Sequence, residues 1–193
     1  GTRICMHAEN GIVIDEIIKR SAASMRAVIA ELPDGGYSDE FWVDGYDEPL
    51  TIRCTVTVKG ENIDVDFSGT SDQIKYPINS VMNYTYAYSC FALKCLLDPS
   101  APNNSGSFES VTVGAPEGCL LNATRPAPVW GRHLSGHYAP PAIIGDTLIA
   151  SATVHSKGRL VKSYPGQVRG FNARTGEFIW AFDVVPRNPG DPE

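Results

Sequence analysis

Between residues 51 and 67 the chain alternates so strictly that a two-stranded antiparallel hairpin is the reading that satisfies it. Ile52, Cys54, Val56 and Val58 fall on one face, and Thr51, Arg53, Thr55 and Thr57 on the other. Lys59-Gly60-Glu61-Asn62 reads as a four-residue loop, after which Ile63, Val65 and Phe67 resume the alternation. Asp64 and Asp66 therefore face away from the apolar side, and Ser68-Gly69-Thr70-Ser71 leaves the sheet as a small polar loop.

Helical patterns flank the hairpin. Ile14, Ile17, Ile18, Met25, Val28, Ile29 and Leu32 recur at helical spacing, with Ala22 filling the intervening turn. Glu16 and Arg20 are set to pair on the outer face. Pro33-Asp34-Gly35-Gly36 stops this helix, because proline rejects continuation and glycine accepts left-handed geometry. A second helix is predicted from Ser80, a good N-cap, to Leu97, with Val81, Tyr84, Tyr88, Phe91 and Cys95 as its apolar stripe and Asp98-Pro99 as its end. Pro102-Asn103-Asn104-Ser105-Gly106 is turn chemistry, Val111-Thr112-Val113 a short strand, and the prolines beyond keep the chain extended.

The pattern changes near Tyr138. Gly131, Gly136, Pro140 and Pro141 punctuate a stretch without apolar periodicity, which reads as a linker. Ala142-Ile143-Ile144 and Thr147 to Val154 then read as strand, tight turn, strand, and Gln167–Asn172 with Glu177–Val184 as a second hairpin across Ala173-Arg174-Thr175-Gly176. No internal repeat is visible. The length of 193 residues allows one or two domains. The expected class is α+β: a helix–hairpin–helix segment of a larger α/β enzyme subunit over residues 1–137, followed by a short all-β appendage over residues 138–193.

Charge and composition exclude several functions. A net charge of −6, without clustered Lys or Arg, argues against nucleic acid or an anionic membrane as partner. The longest apolar stretches fall short of a membrane span, and the N-terminus lacks the layout of a signal peptide, so a cytoplasmic location is expected. The five scattered cysteines read as buried free thiols of a reducing compartment. Three Asn-x-Ser/Thr matches, at Asn83, Asn103 and Asn122, have no export signal to make them meaningful.

Residues 12–137 resemble the hydantoinase B family, which includes subunits or regions of N-methylhydantoinases, 5-oxoprolinases and acetone-type carboxylases. The matching motifs come in order: Leu32-Pro33-Asp34-Gly35, Asp66-Phe67-Ser68-Gly69-Thr70-Ser71, Ile78-Asn79, Pro102-Asn103-Asn104-Ser105-Gly106, Ala115 to Asn122, then Pro126-Ala127-Pro128-Val129 with Arg132-His133. The resemblance implies hydrolysis of cyclic amides such as hydantoins or 5-oxoproline coupled to ATP, or carboxylation, alongside a hydantoinase A-type nucleotide-handling subunit or region. Measured against that family, the chain is expected to begin near the middle. The family's metal-associated His and Asp positions have no match before Ile12, so ATP and a divalent metal are expected to be held by other regions or a partner, and the isolated chain to be inactive. Residues 138–193, through Gly166 to Asp183 with Trp180, resemble one propeller blade of a pyrroloquinoline-quinone-dependent sugar or polyol dehydrogenase. That second resemblance implies the quinone as cofactor only if neighbouring blades are supplied.

Asp66, Ser68 and Thr70 are the candidate catalytic residues, since loops at strand ends commonly carry function. The competing reading is a turn held by its own Asp and Ser side chains. Asn79 and Asn104 are candidates for binding a substrate amide or phosphate, against the usual structural role of Asn in turns and at helix starts. His133 and His137 have metal-ligand spacing only if helical, which Gly131, Gly136 and Pro140 oppose, and no third ligand accompanies them. His7 and His155 are isolated, and Cys90 and Cys95 read as core thiols. No metal site is expected. Phosphate loop, dinucleotide fingerprint and nucleophile elbow are all absent from the sequence. Three functions remain open at this point: a hydrolase-subunit segment, a quinoprotein segment, and a non-catalytic module that packs on a partner.

Overall fold

A computed structural model describes residues 2–144, 147–151, 167–172 and 177–183. Helix α1 (Thr2–Ile29) is followed by an edge strand β1 (Gly35–Val43), then β2 (Leu50–Lys59), β3 (Asn62–Asp66), helix α2 (Met82–Leu97) and β4 (Val111–Gly114). The four strands form one sheet in the order β1-β2-β3-β4. The first two pairings are antiparallel and β3–β4 is parallel, with α2 in the crossover between them.

The predicted hairpin is present, and its apolar face is the core. Ile52, Cys54, Val65 and Phe67 are fully buried, and Met25 and Ile29 of α1 and Leu93 of α2 pack into the same cluster. The turn is tighter than the sequence suggests: Lys59 pairs with Asn62, leaving Gly60 and Glu61 as the loop. Gly60 takes φ +58°, a left-handed conformation that favours glycine.

Strand β1 was not expected. Its residues are mostly exposed or half-exposed, and Ser38-Asp39-Glu40 at its centre hides the alternation. An edge strand bearing charges is a common defence against pairing with other chains, and it carries little period-two signal.

Helix α2 begins after Val81, not Ser80, and buries a different face. Thr85, Ser89, Cys90, Ala92, Leu93 and Lys94 point inward, whereas Tyr84 and Tyr88 are only half-buried and Phe91 lies near the surface. Small polar side chains make this possible because the backbone satisfies them. Thr85 Oγ1 donates to the Leu121 carbonyl at 2.5 Å and Ser89 Oγ to the Thr85 carbonyl at 2.8 Å.

Residues 131–144 are not an irregular connection. A short helix α3 (Arg132–Ser135), a 3-10 turn (Gly136–Tyr138) and helix α4 (Ala139–Ile144) run end to end. Ala139 and Ala142 are buried in the main core, so the expected strand at 142–144 is corrected to helix. Pro140 and Pro141 sit in the first turn of α4, where a missing N–H costs little. Gly131 and Gly136 serve close approach: a Cβ on Gly131 would lie 2.7 Å from the Pro77 carbonyl oxygen, and one on Gly136 2.4 Å from the Tyr84 ring.

Strands β5 (Thr147–Ser151), β6 (Gln167–Asn172) and β7 (Phe178–Asp183) form a second, antiparallel sheet in that order. They match the strand patterns read there. The turns at 145–146 and 173–176 lie outside the described residues, as do the side chains of Trp180 and His155. Among the described residues no helix is long and apolar enough to cross a membrane.

Candidate functional site

Asp66 ends β3, and the chain turns at once. Asp66 Oδ1 accepts from Ser68 N at 2.9 Å and from Ser68 Oγ at 2.7 Å, an Asx turn of the kind short polar side chains form. Thr70 then returns to β2. Its hydroxyl accepts from Arg53 N at 3.2 Å and donates to Arg53 O at 3.1 Å, replacing the strand partner that β3 has ceased to supply. Ser71 does the same at Thr51, accepting at Oγ from Thr51 N at 2.8 Å and donating its own N–H to Thr51 O at 2.9 Å.

Gly69, at φ +90°, lets the Arg53 side chain lie across the loop, since a Cβ would meet Arg53 Cδ at 2.9 Å. Arg53 Nε donates to Glu40 Oε2 at 2.6 Å. The loop thus presents Asp66 and Ser68 beside an exposed Arg53–Glu40 pair. Asp66 and Asp39 are also felt underneath: burial first, then these two carboxylates, pushes the Cys54 thiol up to about 12.

The two asparagines lie in other networks. Asn79 is fully buried; Oδ1 accepts from Ile74 N at 2.8 Å and Nδ2 donates to the carbonyls of Ile74, Tyr76 and Pro128 at 2.8–2.9 Å. It ties its own loop, from Ile74 onward, to the segment at Pro128. Asn104 caps a 3-10 turn by accepting from Gly106 N at 3.0 Å, and its Nδ2 reaches Ser21 Oγ on α1 at 2.8 Å. The loop, Asn79 and Asn104 share no hydrogen-bond partner, so the five candidates are not one constellation.

Two clusters were missed in the sequence. Lys94 and Asp98 are both buried, with Nζ to Oδ2 at 3.7 Å, and Asp98 Oδ2 also accepts from Ser24 Oγ at 2.8 Å. Their i,i+4 spacing was the available signal. Tyr84 and Tyr88 stack obliquely at 4.9 Å, with the His137 ring edge-on to Tyr88 at 5.1 Å; assigning both tyrosines to the core hid this.

Cys54, Cys90 and Cys119 are free and buried, as read, and Cys95 is half-buried. Burial raises all four thiols, which makes them poor nucleophiles. Among the described residues no three His, Cys, Asp or Glu gather to hold a metal ion. His133 faces Trp130 and His137 faces Tyr88.

The sequence matches the Hydantoinase B/oxoprolinase family over residues 11–163. The chain belongs to that family. The match runs past Tyr138, beyond the point where the pattern changes. A B-type D-/L-hydantoinase subunit from Pseudomonas sp. (strain NS671) is 33% identical over 194 residues, covering 91% of this chain and 32% of that protein. The beta subunit of the caprolactamase of Pseudomonas jessenii is 27% identical over 164 residues, covering 82% of this chain and 27% of that protein. The crystal structure of ATP-dependent caprolactamase from Pseudomonas jessenii superposes with a TM-score of 0.60 at 26% identity, over 64% of this chain and 22% of that one. The chain therefore spans about a third or less of the length of these family members.

Proposed function

We propose that this chain is a segment of the B-type subunit of an ATP-dependent enzyme that opens a cyclic amide, working with a nucleotide-handling A-type subunit. The observation that carries it is the family match over residues 11–163, joined to relatives whose names specify a hydantoinase and a caprolactamase. Hydantoins and lactams share a ring C–N amide bond. Breaking it requires an activated nucleophile and stabilisation of charge at the carbonyl oxygen.

The described residues do not fit the ATP and divalent metal that such chemistry uses. They gather no set of three metal-ligating side chains, and the sequence has no phosphate-binding loop. We therefore assign both groups to other parts of the assembly and expect the chain alone to be inactive. We propose the half-buried Asp66 and the exposed Ser68 as the polar pair that serves this chemistry, with Thr70 positioning their loop on β2 and Asn79 and Asn104 holding backbone.

The test is turnover of hydantoin, 5-oxoproline and caprolactam with ATP and Mg²⁺, by the chain alone and with an A-type subunit. Activity confined to the mixture, coupled to ADP formation and lost with Asp66→Ala, supports the reading. Turnover by the chain alone, or none of these substrates used by the complex, sinks it. For residues 138–193 the alternative is a quinoprotein segment, against which stands the family match running through residue 163. An absorbance change on adding pyrroloquinoline quinone with Ca²⁺ would favour that alternative.

A further inference from the structure

The chain contains 22 acidic residues, yet none falls within 73–97 or 118–145. These two stretches include α2 and the turn from Val129 to Tyr138, and the fold lays them side by side. The Arg132 guanidinium stands over the Tyr84 ring, 5.9 Å from its centre, and Tyr84 leads on to Tyr88 and His137. Trp130 is 80% exposed and Leu134 53% exposed on the same turn. From the surrounding loops, among the described residues, Asp44 acts on Tyr138 after burial.

The patch is built rather than frayed. Gly131 N donates to the Pro77 carbonyl at 2.5 Å, Arg132 Nη1 to the Val129 carbonyl at 3.2 Å, and Gly136 carries no side chain that would displace Tyr84. Its composition of Trp, Tyr and Arg is the one that dominates binding energy at protein interfaces, where rigid aromatics lose little entropy on burial. A tryptophan this exposed, on a turn this firmly held, is costly to leave in water.

We infer that this face docks a carboxylate-bearing segment of the A-type partner subunit, with Trp130 as the apolar anchor and Arg132 as the fixed charge. Charge complementarity selects the occupant: a face whose two stretches carry Arg132 and no carboxylate of their own is matched by acidic groups on the partner. The inference rests on the partner reading above and adds where the contact is made and by which chemistry.

The experiment measures the affinity of the chain for an A-type subunit at low and high NaCl. Trp130→Ala and Arg132→Glu should each weaken binding by about tenfold or more, and Arg132→Glu should also flatten the salt dependence. Lys59→Glu, at the far hairpin, should leave affinity unchanged. A photo-crosslinker placed at position 130 should map to a peptide of the partner containing Asp or Glu. If the wild-type complex forms but both patch variants bind equally well, the patch is wrong and the partner reading stands. Crosslinks into a second copy or back into the same chain overturn the inference as well. If no complex forms at all, the partner reading fails and takes this inference with it.

Discussion

Gly106 lies directly beneath Ile18: a Cβ at position 106 would fall 2.0 Å from the Ile18 carbonyl oxygen. Backbone cannot move aside as a side-chain tip can, so α1 would have to lift away. Gly106→Ala should cost about 1–3 kcal/mol through overpacking, read as a lower urea midpoint at constant slope. An unchanged midpoint would mean that α1 is not seated there.

Asn79 engages four backbone groups with its single amide, its two N–H groups shared among three carbonyls. Asn79→Ala strands those groups in the core, at about 1–3 kcal/mol for each buried partner left unpaired. A loss of about 3 kcal/mol or more in chemical denaturation is expected. A variant that folds normally yet binds substrate poorly would restore Asn79 as a ligand group.

Much of this was legible in the sequence. The hairpin of β2 and β3 followed from alternation and the existence of α1 and α2 from helical spacing, although Ile14 and Ile17 of the α1 stripe stand exposed and α2 buries a face other than its predicted one. What the sequence hid was polar burial: Thr85 and Ser89 face inward on hydrogen bonds to backbone, so the tyrosine stripe was assigned to the wrong face. Gly131, Gly136 and Pro140 read as breakers, since a glycine that permits contact looks the same as one that ends a helix. The Asp66–Thr70 loop was visible as a loop. That Thr70 closes on the Arg53 backbone was not, because nothing local in sequence links them.

Lys94 is buried with Asp98 as its charge partner among the described residues, and its Nζ makes no hydrogen bond there. Asp98→Ala should cost about 3–5 kcal/mol, because it leaves an uncompensated buried charge, whereas replacing the whole pair, Lys94→Met with Asp98→Leu, should be neutral or stabilising. Thermal melts of the two variants in opposite directions would confirm the asymmetry.

Burial holds Lys94 below the ordinary lysine range, with Asp98 opposing. The native state therefore binds fewer protons than the unfolded state between its lowered pKa and the ordinary value of about 10.5. Stability should rise with pH across that window, as the penalised charged form is lost. Lys94→Met should remove this component of the slope, as seen in urea midpoints measured from neutral to alkaline pH.

The buried thiols give a last check. Cys54, with its thiol pushed up to about 12, and the buried Cys90 and Cys119 should resist alkylation in the native protein and react only on unfolding. Rapid native labelling of Cys54 would show that the sheet opens far more readily than its packing allows.

The parallel pairing of β3 with β4 has a consequence for synthesis on the ribosome. Val65 meets Val113 only after α2 and the connecting loops have been made, whereas Val65 meets Val56 across a turn of two residues. The nascent chain therefore carries a finished hairpin whose β3 edge stays open until residue 111 has emerged. During that interval the apolar edge is available to any other extended strand. Pauses or truncations between residues 67 and 110 should be the ones that send this polypeptide to chaperones or into aggregates.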